Sequence, residues 1–316
     1  MKLIIQIPCF NEEEALPIAL SELPRRVEGV DKLEVLIVDD GSTDDTVNVA
    51  KTFGVDHIVS IPENKGLANA YMTGLDACLK AGADIIVNTD ADNQYKADDI
   101  DKLVEPIIEK RADIVIGTRP ILETAHFSLL KKLLQMFGSW VVRFASETDV
   151  EDAPSGFRAI SRETAKKLYV FNKYTYTLET IIQAGQSGMK IVSVPVRTNS
   201  DLRPSRLVKS MWSYVQRSIG TILRIFVIYR PVKSFFMIGM VPFLVGFCLG
   251  LRWLVLTYIG ESGRTHLPSL ILSAILLIIG FQTFLFGLSA ELIAANRKLL
   301  EEIRSRLRSI ELDDSK

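Results

Sequence analysis

Between residues 1 and 120 the chain alternates short apolar runs with stretches of helical periodicity. Leu3–Ile7, Val35–Val38, His57–Ile61, Ile85–Val87 and Ile114–Ile116 are rich in Ile and Val. Near-continuous apolar runs of this length predict strands buried on both faces. Gly66–Ala81 and Ala97–Glu109 carry helical spacing between them. The alternation predicts an α/β fold with a mostly parallel sheet covered by helices. Such sheets bind ligands at the carboxyl ends of their strands. The polar clusters Pro8–Glu12, Asp39–Asp45, Glu63–Gly66 and Asp90–Gln94 lie at those ends, which locates the site.

The pattern changes after residue 202. Leu207, Met211, Trp212, Val215, Ile219, Ile222 and Phe226 share one helical face, while Arg206, Lys209, Ser213, Arg217 and Arg224 share the other. A basic amphipathic helix of this kind suits a membrane interface. Two apolar spans follow. Ser234–Leu251 is 18 residues without a charge and continues past Arg252 to Ile259; Leu267–Ala290 is 24 residues without a charge. At 1.5 Å per residue each can cross a hydrocarbon core of about 30 Å. Pro242 inside the first span is expected to kink it. Arg and Lys flank the pair on its outer sides, which by the positive-inside rule places both termini in the cytosol, at the cell membrane if the source is prokaryotic. Leu3–Ile7 is too short for a signal peptide. The expected domains are 1–202 catalytic, 203–231 juxtamembrane, 232–290 the spans (about 234–259 and 267–290), and 291–316 a solvated C-terminal helix.

Composition sharpens this picture. The chain has 316 residues, 48% hydrophobic and 24% charged, with a net charge of −1. The positive mean hydropathy, +0.21, comes from the two spans. The near-zero charge conceals a split. Residues 1–100 hold 8 Lys/Arg against 19 Asp/Glu, whereas 202–233 hold 7 Lys/Arg and no acid. Three scattered cysteines and three scattered histidines suggest neither a disulfide framework nor a zinc site. Nothing points to nucleic acid.

Asp90-Ala91-Asp92-Asn93-Gln94 directly follows the strand Ile85–Val87. Carboxylates two apart at a strand exit can face one crevice. A hard cation such as Mg²⁺ is commonly held by one or two carboxylates together with substrate phosphates. A lone Asp-x-Asp is also a common helix cap. Here Asp39 and Asp40 stand at the neighbouring strand end, ahead of the capping residues Ser42, Thr43 and Asp44, and an acceptor there suits a nucleobase N–H. Lys65 opens a helix in a manner suited to phosphate. Arg119 can reach a diphosphate bidentately.

Together IPCFNEEEALP (7–17), VDDGSTDDT (38–46), NKGLANAYMTGL (64–75), DADNQY (90–95), GTR (117–119), DAPSGFRAISRE (152–163) and RPSRL (203–207) resemble the family 2 glycosyltransferases of GT-A fold. More narrowly, they resemble the dolichol-phosphate mannose synthase group, whose acceptors are polyprenyl phosphates. The resemblance implies a nucleotide-sugar pocket of Pro8, Phe10, Glu12, Val38, Asp40, Lys65, Asp90, Ala91 and Lys131. It implies Asp92 as main metal ligand with Asp90, the metal being Mg²⁺ or Mn²⁺. It also implies Gln94, Arg119, Asp152 and Glu179 in the catalytic set, and Ser155, Arg203, Arg206 and Lys209 toward the acceptor phosphate. Phe10 stands where Tyr is usual, Asn93 and Tyr95 replace Leu and His, and Lys131 replaces an Arg, losing the bidentate fork.

The implied reaction is inverting transfer from a GDP- or UDP-sugar to a polyprenyl or dolichyl phosphate, in the membrane, with a homo-oligomer left open. A phosphate nucleophile is already charged and needs no general base. Two other readings stand beside it. One is a polysaccharide synthase of the same fold, for which a Gln-x-x-Arg-Trp motif is lacking. The other is a non-catalytic nucleotide-sugar-binding scaffold. A dehydrogenase lacks support, since no Gly-x-Gly-x-x-Gly follows the first strand.

Overall fold

A computed structural model describes residues 1–119, 142–143, 146, 148–170, 176–199, 224, 227–259 and 267–314. Lys131, Arg203, Arg206, Lys209 and nearly all of the basic amphipathic segment lie outside the described residues.

Each apolar run of the first 120 residues forms a strand: β1 (Lys2–Cys9), β2 (Lys32–Asp39), β3 (His57–Ser60), β4 (Ile85–Asn88) and β5 (Ile114–Thr118). Between them run α1 (Leu16–Glu22), α2 (Thr46–Thr52), α3 (Leu67–Lys80) and, after a single 3₁₀ turn, α4 (Ile100–Ile108). Then come β6 (Arg158–Ser161), α5 (Arg162–Lys167), α6 (Thr177–Gln186) and β7 (Ile191–Pro195). The sheet order is β3-β2-β1-β4-β6-β5-β7. Only β6 runs against the others, pairing antiparallel with both β4 and β5.

Alternation along β1 explains why its pattern is continuously apolar. Leu3, Ile5 and Ile7 pack with Ile100, Leu103 and Val104 of α4. The opposite face meets α3, where Gly74 lies against Gln6 and Val38, so both faces are covered. Parallel pairing of β1 with β2 sets Pro8 opposite Val38 and Cys9 opposite Asp39, aligning two polar strand exits at one sheet end.

Residues 1–219 and 301–316 form one compact unit, and residues 220–300 another. In the second unit α7 (Pro231–Tyr258) and the first part of α8 (Leu267–Asp314) pack through small residues. A Cβ added at Gly280 would lie 2.7 Å from the Cβ of Phe243, and one at Gly246 would lie 2.9 Å from that of Leu276. The Ser273 hydroxyl donates to the Gly246 carbonyl at 2.6 Å. Close approach of this kind is how helices associate in lipid, where apolar burial gives no drive. Phe236, Met237, Val241 and Phe247 of α7, and Ile271, Ile278 and Phe281 of α8, face outward. Both helices are long and apolar enough to cross a membrane, and neither is sheathed by protein as a soluble core helix would be.

α8 runs unbroken from the apolar span to Asp314, and most of its described residues past 291 are exposed. Its last turns dock on the catalytic unit. Arg308 donates to the carbonyls of Ala165 at 2.8 Å and Leu168 at 3.4 Å and pairs with Asp76 of α3. Arg304 lies over the Tyr169 ring, and Leu312 is buried. The end of α5 exposes carbonyls without partners of their own, and a cation there satisfies them.

Candidate active site

Two sequence motifs fold into one clasp beside the crevice. The Asn11 N–H donates to Ser42 Oγ at 2.9 Å, Asn11 Oδ1 accepts from the Thr43 N–H at 2.8 Å, and the Glu12 N–H donates to Thr46 Oγ1 at 2.8 Å. Glu13 accepts from the Asp45 N–H. The loops after β1 and β2 therefore hold each other through side chain-to-backbone bonds. Phe10 stays 40% exposed at their edge, where a flat apolar ring can meet a planar ligand.

Asp39 and Asp40 do more local work than their position before the cap suggested. Asp39 Oδ1 accepts from the Ser42 N–H at 2.9 Å, closing an Asx turn. Asp40 accepts from the N–H groups of Lys65 and Gly66 at 2.9 and 2.8 Å, fixing the entry to α3. Lys65 is exposed, while Pro8, Val38 and Ala91 are buried supports.

Asp90 leaves the end of β4 part-buried, and no described residue donates a hydrogen bond to its carboxylate. Burial, and after it the charge of Asp92, push Asp90 up to about 7. Asp92 Oδ1 accepts from the Gln94 N–H at 3.2 Å. No group of three or more His, Cys, Asp and Glu suited to a metal occurs among the described residues. A carboxylate without a donor among the described residues, beside a second one, is nevertheless the donor set that a hard cation shares with substrate oxygens.

Arg119 is held within the protein by a buried acid. Its Nε donates to Asp152 Oδ2 at 2.7 Å and its Nη2 to Oδ1 at 3.0 Å, while Nη1 reaches Gln94 Oε1 at 3.4 Å. Asp152 is fully buried, and the Arg119 side chain is 14% exposed. The fork thus joins the exit of β5 to the 152–155 turn and to the loop after β4. Ser155 is buried within that turn, whose own N–H bonds the Asp152 carbonyl. Glu179 is buried in the first turn of α6.

Sequence reasoning missed four buried residues beneath the acids. Arg158, 1% exposed in β6, donates to Thr180 Oγ1 at 2.8 Å and the Thr177 carbonyl at 3.2 Å. A central arginine hides a four-residue strand from any hydrophobic pattern. Asn88 takes an N–H from Gln6 at 3.0 Å and donates to the Gly156 carbonyl at 2.9 Å and the Tyr176 hydroxyl at 2.8 Å. Tyr176 stacks on Tyr71, ring centroids 3.8 Å apart. Burial, then the charge of Asp90, push the Tyr176 phenol well above its ordinary range, so it keeps its proton. A polar Asn ending an apolar strand was the one available signal.

Comparison with known proteins fits this geometry. The Glycosyl transferase family 2 model matches residues 4–168. The chain is similar to an undecaprenyl-phosphate mannosyltransferase of Micrococcus luteus, 28% identical over 206 residues, 62% of this chain and 83% of that protein. It is 30% identical over 213 residues to a UDP-N-acetylglucosamine–dolichyl-phosphate N-acetylglucosaminyltransferase of Methanococcus voltae, covering 61% and 83%. A solved structure of glucosyl-3-phosphoglycerate synthase from Mycobacterium tuberculosis, with Mn²⁺, UDP and glucosyl-3-phosphoglycerate, shares the fold. Its TM-score is 0.55 at 22% identity, over 71% of this chain and 79% of that one. The sheet and its covering helices therefore define a glycosyltransferase of GT-A fold. This chain belongs to glycosyltransferase family 2.

Proposed function

We propose that the protein transfers a sugar from a GDP- or UDP-sugar to the phosphate of a membrane polyprenyl or dolichyl phosphate, with inversion at the anomeric carbon. The observation that carries this is the Asp90/Asp92 pair at the carboxyl end of the sheet, in a chain that also carries two helices of membrane length. The names of the relatives, undecaprenyl-phosphate and dolichyl-phosphate transferases, support the acceptor class.

Asp92 and Asp90 would hold Mg²⁺ or Mn²⁺. When bound, the cation neutralises charge on the departing diphosphate. Pro8, Phe10, Glu12 and Val38 line the donor side, with Asp40 and Lys65 at the α3 entry. Lys131 belongs to the same donor set. Arg119 keeps Asp152 and Gln94 in one arrangement, a preorganised frame that costs no rearrangement during reaction. Ser155, Glu179, Arg203, Arg206 and Lys209 form the acceptor side. A phosphate monoester carries its own nucleophilic charge, so no side chain need remove a proton.

The basic residues flanking the two spans support a cytosolic catalytic domain, and two crossings would return the C-terminal end to that same side. The basic composition of 203–233 and 297–308 suits an inner, anionic surface.

Incubating the full chain in lipid with radiolabelled GDP- and UDP-sugars, Mn²⁺ and polyprenyl phosphate tests the reading. Label extracted into organic solvent as a single-sugar lipid is the expected result. Label in a growing polymer would identify a polysaccharide synthase instead, and donor binding without transfer would identify a scaffold.

A further inference from the structure

The polar network under Asp90 includes a hydroxyl whose own hydrogen bond is long. Asn88 ends β4 two residues before Asp90, and its amide donates at 2.8 Å to the Tyr176 oxygen. That oxygen is therefore an acceptor toward Asn88, and its own hydrogen must go elsewhere. The Gly156 carbonyl lies at 3.4 Å, too long for a good O–H···O bond, and it already accepts from Asn88 at 2.9 Å. Another acceptor stands at the same place. A Cβ added to Gly156 would fall 2.8 and 3.0 Å from the two Asp90 oxygens and 3.0 Å from the Tyr176 hydroxyl. The carboxylate and the phenol thus converge on the bare Cα of Gly156, and no described residue donates to that carboxylate. Tyr176 is itself held by its stack on Tyr71, with interplanar angle 8°, and by the Arg158 guanidinium 5.4 Å from its ring centre.

We propose that Tyr176 is a positioning residue for the metal-binding carboxylate: oriented by Asn88, its hydroxyl stands with both Asp90 oxygens around the bare Cα of Gly156 and holds that carboxylate in place. This rests on the reading that Asp90 and Asp92 hold a divalent cation with the donor diphosphate. Partners that orient a ligating carboxylate typically change metal affinity by about 10- to 100-fold when removed. Gly156 serves the same geometry, because any side chain would occupy the space through which the two groups face each other.

The test uses the full-length protein in detergent. Free Mn²⁺ is followed by electron paramagnetic resonance, with and without UDP or GDP, alongside transfer kinetics at varied Mn²⁺. Tyr176→Phe deletes only the hydroxyl and keeps the stack. It is expected to weaken Mn²⁺ binding about tenfold, while kcat at saturating Mn²⁺ recovers to within about threefold of the parent. Tyr71→Phe is the matched control. It removes the other hydroxyl of the stack, which is buried and has no partner among the described residues, and should leave Mn²⁺ binding unchanged. Equal Mn²⁺ affinity in Tyr176→Phe and the parent, an equal loss in both Phe variants, or a kcat that high Mn²⁺ does not restore would overturn the proposal. Asp92→Asn tests the underlying reading separately, since unaltered Mn²⁺ binding there removes the cation site itself. If Tyr176→Phe fails to fold, Asn88→Ala carries the same expected loss of Mn²⁺ affinity, and parental binding in it counts against the proposal equally.

Discussion

Arg119 grips Asp152 with two parallel hydrogen bonds, Nε to Oδ2 at 2.7 Å and Nη2 to Oδ1 at 3.0 Å, in a place that water barely reaches. The pair ties the exit of β5 to the turn before β6.

Breaking that pair leaves a buried charge uncompensated. Asp152→Ala is expected to lower stability by about 3 kcal/mol and to abolish measurable transfer. Arg119→Lys keeps the charge but loses the fork, so it should lower kcat/KM more than it lowers Tm. Thermal unfolding and transfer kinetics of both variants check this. Single-variant losses that simply add in the double variant would show that the two side chains act independently.

Asp92→Asn should keep the fold and membrane insertion while reducing transfer about a thousandfold, as expected if several kcal/mol of charge stabilisation at the diphosphate are lost. Near-normal turnover would dismiss Asp92 as a metal ligand. Melting temperature and lipid-extractable label are the two measurements.

Asp90 makes cation binding sensitive to pH. Its carboxylate, pushed up to about 7 by burial and then by Asp92, must release its proton to act as a ligand. Mn²⁺ affinity should therefore fall by up to about tenfold per pH unit below 7, with proton release on binding. The metal-free protein shows the opposite slope. Its folded state binds this proton more tightly than the unfolded chain does, so the contribution of Asp90 to stability is full at low pH and is lost as pH rises through about 7. Titration calorimetry in two buffers of different ionisation enthalpy, with unfolding curves across pH 4–8, measures both.

Arg308→Ala removes the hydrogen bonds from the end of α8 to the carbonyls of Ala165 and Leu168, and the ion pair with Asp76. A loss of about 2 kcal/mol is expected, concentrated in residues 301–314. Hydrogen exchange should speed up in that segment and in α5, with the β1–β5 amides unaltered. Uniform acceleration across the sheet would contradict a local role.

In the second unit, Gly280→Leu places a side chain where a bare Cβ already meets the Phe243 Cβ at 2.7 Å. The helix pair should separate, which is read as lost contact between cysteines introduced across it. Preserved cross-linking would mean that the approach at Gly280 does not hold the pair.

The sequence by itself determined the five parallel strands, the two long apolar helices and the acidic loops of the crevice. Each is written in local periodicity or in polar residues at a strand exit, and neither depends on distant contacts. It also carried the clasp between Asn11–Glu13 and Ser42–Thr46, although only as two adjacent-seeming motifs. Other features were decided by the tertiary structure alone. β6 is four residues long with a buried arginine, so its place between β4 and β5 depends on partners at Thr177 and Thr180 that pattern cannot supply. Arg119 can reach a diphosphate on sequence grounds, but only folding brings Asp152, 33 residues later, to its side chain. The tail of α8 reads as solvated because its charges alternate, and most of it is exposed, but only the fold brings Arg308 to the carbonyl end of α5 about 140 residues away in sequence. Hydrophobic periodicity records which face of an element is buried. It does not record which buried charge will find its counter-charge, because that depends on long-range closure of the chain.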